Sequence, residues 1–367
     1  MHVDSHTEHL YTRVQNAQML HAHTHMIDWL TFVIDHLHTP LPAGRVLKLT
    51  AEGEIEYDIP QRMEVEGSYD SNMWIRSQGG DGTGTATQLY LHGNPAKFLQ
   101  GHNIIGSDDV NVLAANTLKQ IAERTGLCLD LATAKAEKGD YSVKRIDITR
   151  SYQFNTKEEV QAAISAIAIK SRSRMGRAQT SGGTVYHGKN SRRHTMKFYA
   201  KGEELSAGKK HRLPDQLQAT PLHEFAETLL RVELTLRSNE LRDLNLTSGY
   251  DFTPKVVRRL YDEYFGRIEM TPQATIPSDE LVALPRAIRS TYLMWKNACD
   301  VRTTMSKPTF YRHRNELLGF GIDIALPYEG EQCNVIPLFR EVTGTPVANP
   351  HWAYQQGLVF DPNRVGG

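Results

Sequence analysis

The chain has 367 residues, 40% apolar and 23% charged, the balance of a soluble globular protein with room for two domains and a sizeable core. It has no run of about 18 apolar residues, which excludes a transmembrane helix and a membrane partner. The polar, His-rich opening MHVDSHTEHL has no signal-peptide core, and Cys128, Cys299 and Cys333 form no CxxC pair, so a cytoplasmic location with reduced thiols is expected. Lys and Arg balance Asp and Glu at 42 each, but unevenly. From Ser142 to Arg212 there are 16 basic against 5 acidic residues. A charge run alone reads more readily as a solvated face. Here it holds the clearest strand patterns of the chain, which favours a nucleic-acid partner.

Residues 1–25 read as a polar extension. His21, His23 and His25 invite a metal reading, but no second ligand cluster accompanies them, and His-rich tracts near termini are often unstructured. A strand follows at Ile27–Ile34. The Gly- and Thr-rich stretch QGGDGTGTAT lacks the Lys-Ser/Thr ending of a phosphate-binding loop and reads as a hairpin loop. A strand at Gln88–His92 and a turn at Gly93-Asn94-Pro95 precede Lys97–Asp109. In that segment Gln100, His102 and Asn103 sit among glycines, as in a loop. A helix is expected from Val110 to Arg124.

Three strand patterns carry most of the information. In VKRIDITRSYQF (143–154), Ile146, Ile148, Tyr152 and Phe154 share one face, with Arg145, Asp147, Thr149 and Ser151 on the other. In TMKFYAK (195–201), Met196, Phe198 and Ala200 oppose Lys197, Tyr199 and Lys201. In RVELTLR (231–237), Val232, Leu234 and Leu236 oppose Arg231, Glu233, Thr235 and Arg237. One antiparallel sheet with helices over its apolar face would bring Asp147, Tyr199 and Glu233 onto a common polar face. Between the first two strands, Thr156 and Glu159 form a capping box, and Val160, Ile164 and Ile167 follow helical spacing. A basic loop, KSRSRMGR (170–177), leads to a strand around Val185 and Tyr186.

The last third is helical. Leu281, Leu284, Ile288, Tyr292 and Trp295 are spaced as one helix over 279–298. A second starts at the N-cap Ser306 with Pro308 in its first turn, and carries Arg312, His313 and Arg314. The pair suggests a helix-turn-helix, or equally a helical hairpin with a basic face. Beyond Gln332 the chain is Pro-rich and reads as extended.

Transesterification of a phosphodiester needs an oxygen nucleophile, a divalent cation and positive charge. Tyr199 is the candidate nucleophile, with Lys197 and Lys201 on its own face to favour phenolate and bind phosphate. Asp147, Glu233 and Glu204 offer hard oxygen ligands for Mg2+ or Mn2+. His102 is a further catalytic candidate. Lys97, Gln100, Asn103, Arg172, Arg174, Arg177, Arg192, Arg193, Lys197, Arg312 and Arg314 are candidate DNA contacts. The alternative is ordinary. A strand acid usually pairs with a neighbouring base such as Arg145 or Arg231, and a tyrosine between lysines can be a plain amphipathic residue.

Five segments in order, NPAKFLQGHNIIGSDD (94–109), KRIDITRS (144–151), SRRHTMKFYAKGEEL (191–205), LLRVELTLRS (229–238) and QCNVIPLFR (332–340), resemble the filamentous-phage gene II replication initiator family, from about Met26 onward. The resemblance implies nicking of one strand at a replication origin through a 5′-phosphotyrosine, leaving a 3′ hydroxyl primer, and later rejoining of the displaced strand. The family's tyrosine in Tyr-x-Lys falls on Tyr199 with Lys201, and its acids on Asp147 and Glu233, with Glu204 a third. Tyr186 is a candidate second nucleophile, or a packing residue. The C-terminal region resembles the family's X-type replication regulator.

The expectation is an α+β protein. It comprises an N-terminal extension (1–25), an antiparallel-sheet nicking domain (26–265) and a helical DNA-binding domain (270–367). It would act with Mg2+ or Mn2+ on single-stranded or supercoiled origin DNA, alongside a host helicase and DNA polymerase. A non-catalytic DNA-binding regulator and a plasmid mobilisation relaxase are the alternatives. The oligomeric state is not readable.

Overall fold

The structure is a computed structural model that describes residues 24–361, apart from 68, 70, 81–83, 209–210, 271–275, 277, 298, 321, 326–327, 329–335 and 338–343. His21, His23 and Cys333 lie outside the described residues. The strands in chain order are β1 (His25–His38), β2 (Arg45–Leu49), β3 (Ile55–Pro60), β4 (Met63–Glu66), β5 (Asn72–Gln78), β6 (Ala86–Gly93), β7 (Ser142–Gln153) and β8 (Ser171–Ser173). There follow β9 (Gly176–Arg177), β10 (Gln179–Ser181), β11 (Thr184–His187), β12 (His194–Ala200), β13 (Leu229–Arg237), β14 (Glu269–Met270), β15 (Ile336–Pro337) and β16 (Thr345–Pro346). The architecture is α+β, as expected.

One antiparallel sheet has the order β10-β11-β12-β13-β7-β1-β6-β5-β4, with β16 added alongside β7. The apolar alternation of its central strands builds the core. Ile146, Ile148, Phe198, Val232, Leu234 and Leu236 are fully enclosed, beneath the helices Val110–Thr125, Lys157–Lys170 and Pro254–Gly266. Burying one such side chain contributes about 1.5–3 kcal/mol, so the face assignment of each strand is strongly fixed.

The β1–β7 register shifts twice, and the first shift reorients an acid. In β1, Ile27, Leu30, Phe32 and Ile34 enter the core. The register slips between Ile27, opposite Ile148, and Trp29, opposite Asp147. This β-bulge sets Asp28 and Trp29 against a single residue, and turns both to the polar face.

Several expectations need correction. His25 is an enclosed β1 residue with its ring edge-on to Tyr261 at 4.9 Å, and burial lowers its pKa to about 3. Segment 97–109 is not all loop. Asn94 caps the helix Pro95–Gln100, with Pro95 in its first turn, and Gly101 ends it at a φ of 83°. The basic loop 170–177 is the β8–β9 hairpin of a small sheet ordered β15-β14-β8-β9.

The expected helix 279–298 is two helices, Ser278–Ala283 and Arg286–Lys296, because Pro285 interrupts it. With Lys307–Leu318 they enclose a separate core that includes Trp295 and Phe310. The connection 297–306 is longer than the roughly 3–4 residue turn of a helix-turn-helix. Finally, the tail does not stay with these helices. β16 pairs with β7, and Ala353, Leu358 and Val359 pack against Ile104, Leu205 and Leu222. The last part of the expected module 270–367 thus packs against the sheet domain.

Candidate active site

The polar face is ordered by register. Tyr199 stands opposite Arg231, Lys197 opposite Glu233, and Thr195 opposite Thr235. On the next pair, Arg231 faces Ser151, Glu233 faces Thr149, and Thr235 faces Asp147. Tyr199, Lys197, Glu233 and Asp147 thus converge on one face of three adjacent strands. Tyr186 joins the same face, opposite Lys197, with the Lys189 amine 5.2 Å from its ring centre.

This face is less open than alternation alone suggests. Asp147 is 2% exposed, Glu233 5% and Arg231 0%. Loop 101–105 folds over the Tyr199 end. Arg231 donates to the Asn103 carbonyl at 2.5 Å, to the Ile104 carbonyl and to Ser151 Oγ at 3.2 Å. The tail adds to the cover, with the Val347 amide donating to the Ser151 carbonyl at 3.0 Å. Asp28 holds the loop from the other side, accepting from Asn103 Nδ2 at 2.7 Å and Asn94 Nδ2 at 3.0 Å, with Arg231 3.9 Å away. Asp28 and Arg231 are the site residues that sequence reasoning missed. The signal for Asp28 was an acid inside an apolar strand.

The electrostatics set limits on the chemistry. Tyr199 is partly buried, and its hydroxyl has no hydrogen-bond partner among the described residues. Burial and then Glu233 push its pKa well above the ordinary value of 10.0, with Arg231 pulling the other way. The expectation that lysines favour phenolate is corrected. Lys197 is held by Glu233 at 2.5 Å. Lys201 is 0% exposed because β12 ends at Ala200 and Lys201 opens the helix Lys201–Ser206. Its amine donates to Asn103 Oδ1 at 2.9 Å and Glu204 Oε2 at 2.6 Å. Burial, followed by Arg231, lowers the pKa of Lys201.

The three acids do not meet. Burial raises the pKa of Glu233 against the pull of Lys197, and the neighbouring charge of Asp147 raises it further. Asp147 also accepts from Arg145 at 2.8 and 2.5 Å. Glu204 lies apart with Lys201 and His211; burial raises its pKa, but Lys201, His211 and Arg231 together lower it to about 2. Among the described residues no group of three His, Cys, Asp or Glu is placed to hold a metal. Asp147 and Glu233, buried on one face of adjacent strands, are oxygen donors of the kind a hard divalent cation takes. Mg2+ keeps waters in its remaining positions.

Other candidates are structural. His102 is 1% exposed. Its Nε2 donates to the Leu358 carbonyl at 2.7 Å and its Nδ1 accepts from the Ile104 amide at 3.3 Å. Burial brings its pKa to about 4. With both nitrogens engaged it pins the tail and does not face the reacting groups. Gln100 is enclosed in the same way, donating to the His102 and Ile105 carbonyls and accepting from the Phe360 amide at 2.9 Å, so it is not a DNA contact. Asn103 bridges Asp28 and Lys201 rather than reaching outward.

The remaining candidates lie on the surface. Lys97 is on the partly exposed side of the helix Pro95–Gln100. Arg172 pairs with Glu269, Arg177 donates to the Phe320 carbonyl, and Arg193 pairs with Glu240 and Asp243. Arg314 is bound in parallel by Asp323 at 2.6 and 2.5 Å, and His313 is buried against Thr291. Arg174, Arg192 and Arg312 are exposed.

Residues 26–255 match the N-terminal family of the phage gene II replication-associated protein, and residues 276–359 match the C-terminal family of the same protein. The chain is 39% identical over 343 residues to the gene II replication-associated protein of Enterobacteria phage I2-2, covering 93% of this chain and 99% of that one. Among solved structures, a rolling circle replication initiator protein from Geobacillus stearothermophilus aligns at a TM-score of 0.31 and 12% identity, covering 70% of this chain and 89% of that one. That overlap is too slight to carry an argument. The two family matches and the phage relative do carry one: the chain belongs to the gene II family of phage replication-associated proteins.

Proposed function

We propose that this protein is a replication initiator that nicks one DNA strand at an origin through Tyr199. The observation that carries the reading is the convergence of Tyr199, Arg231, Lys197, Glu233 and Asp147 on one face of β12, β13 and β7. The Tyr199 oxygen bonds to phosphorus as the phosphorus–O3′ bond breaks. Its proton is lost, and the 3′ oxygen takes one up to become a hydroxyl. The tyrosine ester conserves the bond, so attack by another 3′ hydroxyl reverses the step and closes a circle. Arg231 is the fixed cation nearest the nucleophile in register, and it favours the phenolate against burial. Asp147 and Glu233 would hold a divalent cation. When bound, Mg2+ or Mn2+ supplies positive charge to the phosphate oxygens.

The resemblance to the gene II family extends this to rolling-circle replication of single-stranded or supercoiled DNA. A 3′ hydroxyl then calls for a host polymerase and helicase in the bacterial cytoplasm. No helix among the described residues is long and apolar enough to cross a membrane. The test is incubation of origin-bearing supercoiled DNA with protein and Mg2+. A nicked circle is expected, and Tyr199→Phe should lose it while retaining DNA binding. Normal nicking by the Phe variant would remove Tyr199 from the mechanism.

A further inference from the structure

The polar face continues past the nicking residues onto β1, β6 and β5, and its character changes there. Trp29 and Trp74 lie nearly parallel, with ring centres 6.2 Å apart. His92 lies beside both, 4.9 Å from Trp29 and 6.1 Å from Trp74, and stacks on Tyr90 at 6.1 Å. Three guanidinium groups lie over these rings: Arg76 4.7 Å and Arg62 5.9 Å from Tyr90, and Arg145 5.4 Å from Trp29. Trp29, Trp74, Tyr90 and His92 are all half-buried. Their strand neighbours Met73, Ile75, Leu89 and Leu91 are enclosed in the core, so the rings belong to the opposite, outward side.

The geometry points to a base-stacking platform for single-stranded DNA, formed by Trp29, Trp74, Tyr90 and His92 with Arg62, Arg76 and Arg145, beside the nicking site. Unpaired bases offer free faces for aromatic rings, and guanidinium groups serve both the rings and the phosphates. A protein or a second copy of this chain would be matched by an apolar patch, whereas this surface is lined with arginine. The platform is continuous with the site. Trp29 shares its bulge with Asp28 and faces Asp147 across the strand pair. From Tyr199 it is about 14 Å across the strands and about 13 Å along them, a distance spanned by a few nucleotides. His92 is held by Thr31 Oγ1 at 2.8 Å, and burial followed by Arg62 and Arg145 lowers its pKa to about 4, so it is a neutral ring at neutral pH.

The inference rests on the nicking reading, and binding is therefore measured apart from cleavage. The probe is oligothymidylate, titrated by fluorescence anisotropy with a hairpin duplex as control. Trp74→Ala and Tyr90→Ala should each weaken oligothymidylate binding about five- to a hundredfold. Duplex affinity should stay within about twofold, and Trp74→Phe should restore binding. Circular dichroism confirms that each variant is folded. Unchanged oligothymidylate affinity in both Ala variants would overturn the platform. So would equal losses on duplex, or a changed oligomeric state with unchanged DNA affinity. Trp74-dependent binding without wild-type cleavage would count against the nicking reading alone. Cleavage with Trp74-independent binding would count against the platform alone.

Discussion

Replacing Glu204 with Gln separates two roles for an acid that the sequence offers as a metal ligand. In the structure its carboxylate is clamped by the enclosed Lys201 and by His211. Its pKa falls from 4.5 to about 2, a difference worth about 3 kcal/mol of stability. The folded value is the lower one, so this stabilisation is complete above the unfolded pKa. It is lost as pH falls from about 4.5 through about 2. Glu204→Gln should therefore be less stable by about 3 kcal/mol at pH 7, and the gap should close as the wild type is acidified. Lys201 would lose its carboxylate counter-charge and keep only neutral acceptors, so the helix Lys201–Ser206 should loosen first. Urea denaturation of both proteins at a series of pH values gives the comparison. Equal midpoints at pH 7, or a gap that persists to pH 2, would refute the clamp. A higher Mg2+ requirement with unchanged stability would return Glu204 to the metal.

Glu233→Gln should raise the Mg2+ concentration for half-maximal nicking by at least about tenfold, because it halves the buried carboxylate pair. Unaltered Mg2+ dependence would dismiss the pair as a ligand set. Neutralising Arg174 or Arg192, both exposed, should flatten the log–log salt dependence of single-strand binding by about 0.7 for each phosphate that the residue neutralises; an unchanged slope would place that residue off the DNA. Truncation after Gly344 removes β16 and the buried Leu358 and Val359, and should lower the melting temperature by roughly 5–10 °C. A tail that can be removed without cost would restore the separate C-terminal module.

The central strands are legible because their two faces differ so sharply. Ile146, Phe198 and Val232 can go only inward, and the register then aligns Asp147, Tyr199 and Glu233. What stays hidden depends on departures from that periodicity or on contacts distant in sequence. The bulge at Asp28 shifts the pattern by one residue, which no alternation rule anticipates. Asn94-Pro95 reads as a turn, although the same pair caps a helix and supplies its first residue. His102 and Gln100 look chemical because they are polar among glycines, yet the tail near Leu358 and Phe360 uses them as anchors. Arg231 reads as an exposed strand residue, and only the folding of loop 101–105 brings two carbonyls to it. The stacking surface emerges only when β5, with Trp74 and Arg76, aligns beside β6 and β1.

The claim that Tyr199 is the nucleophile is tested most directly by locating the covalent bond. Wild-type protein is incubated with a nick-site oligonucleotide and Mg2+, and the adduct is digested and mapped by mass spectrometry. The account predicts a nucleotide phosphate on the tyrosine of the peptide MKFYAK, at Tyr199. A phosphate on Tyr186 alone, or cleavage that leaves no protein-linked DNA, would contradict it.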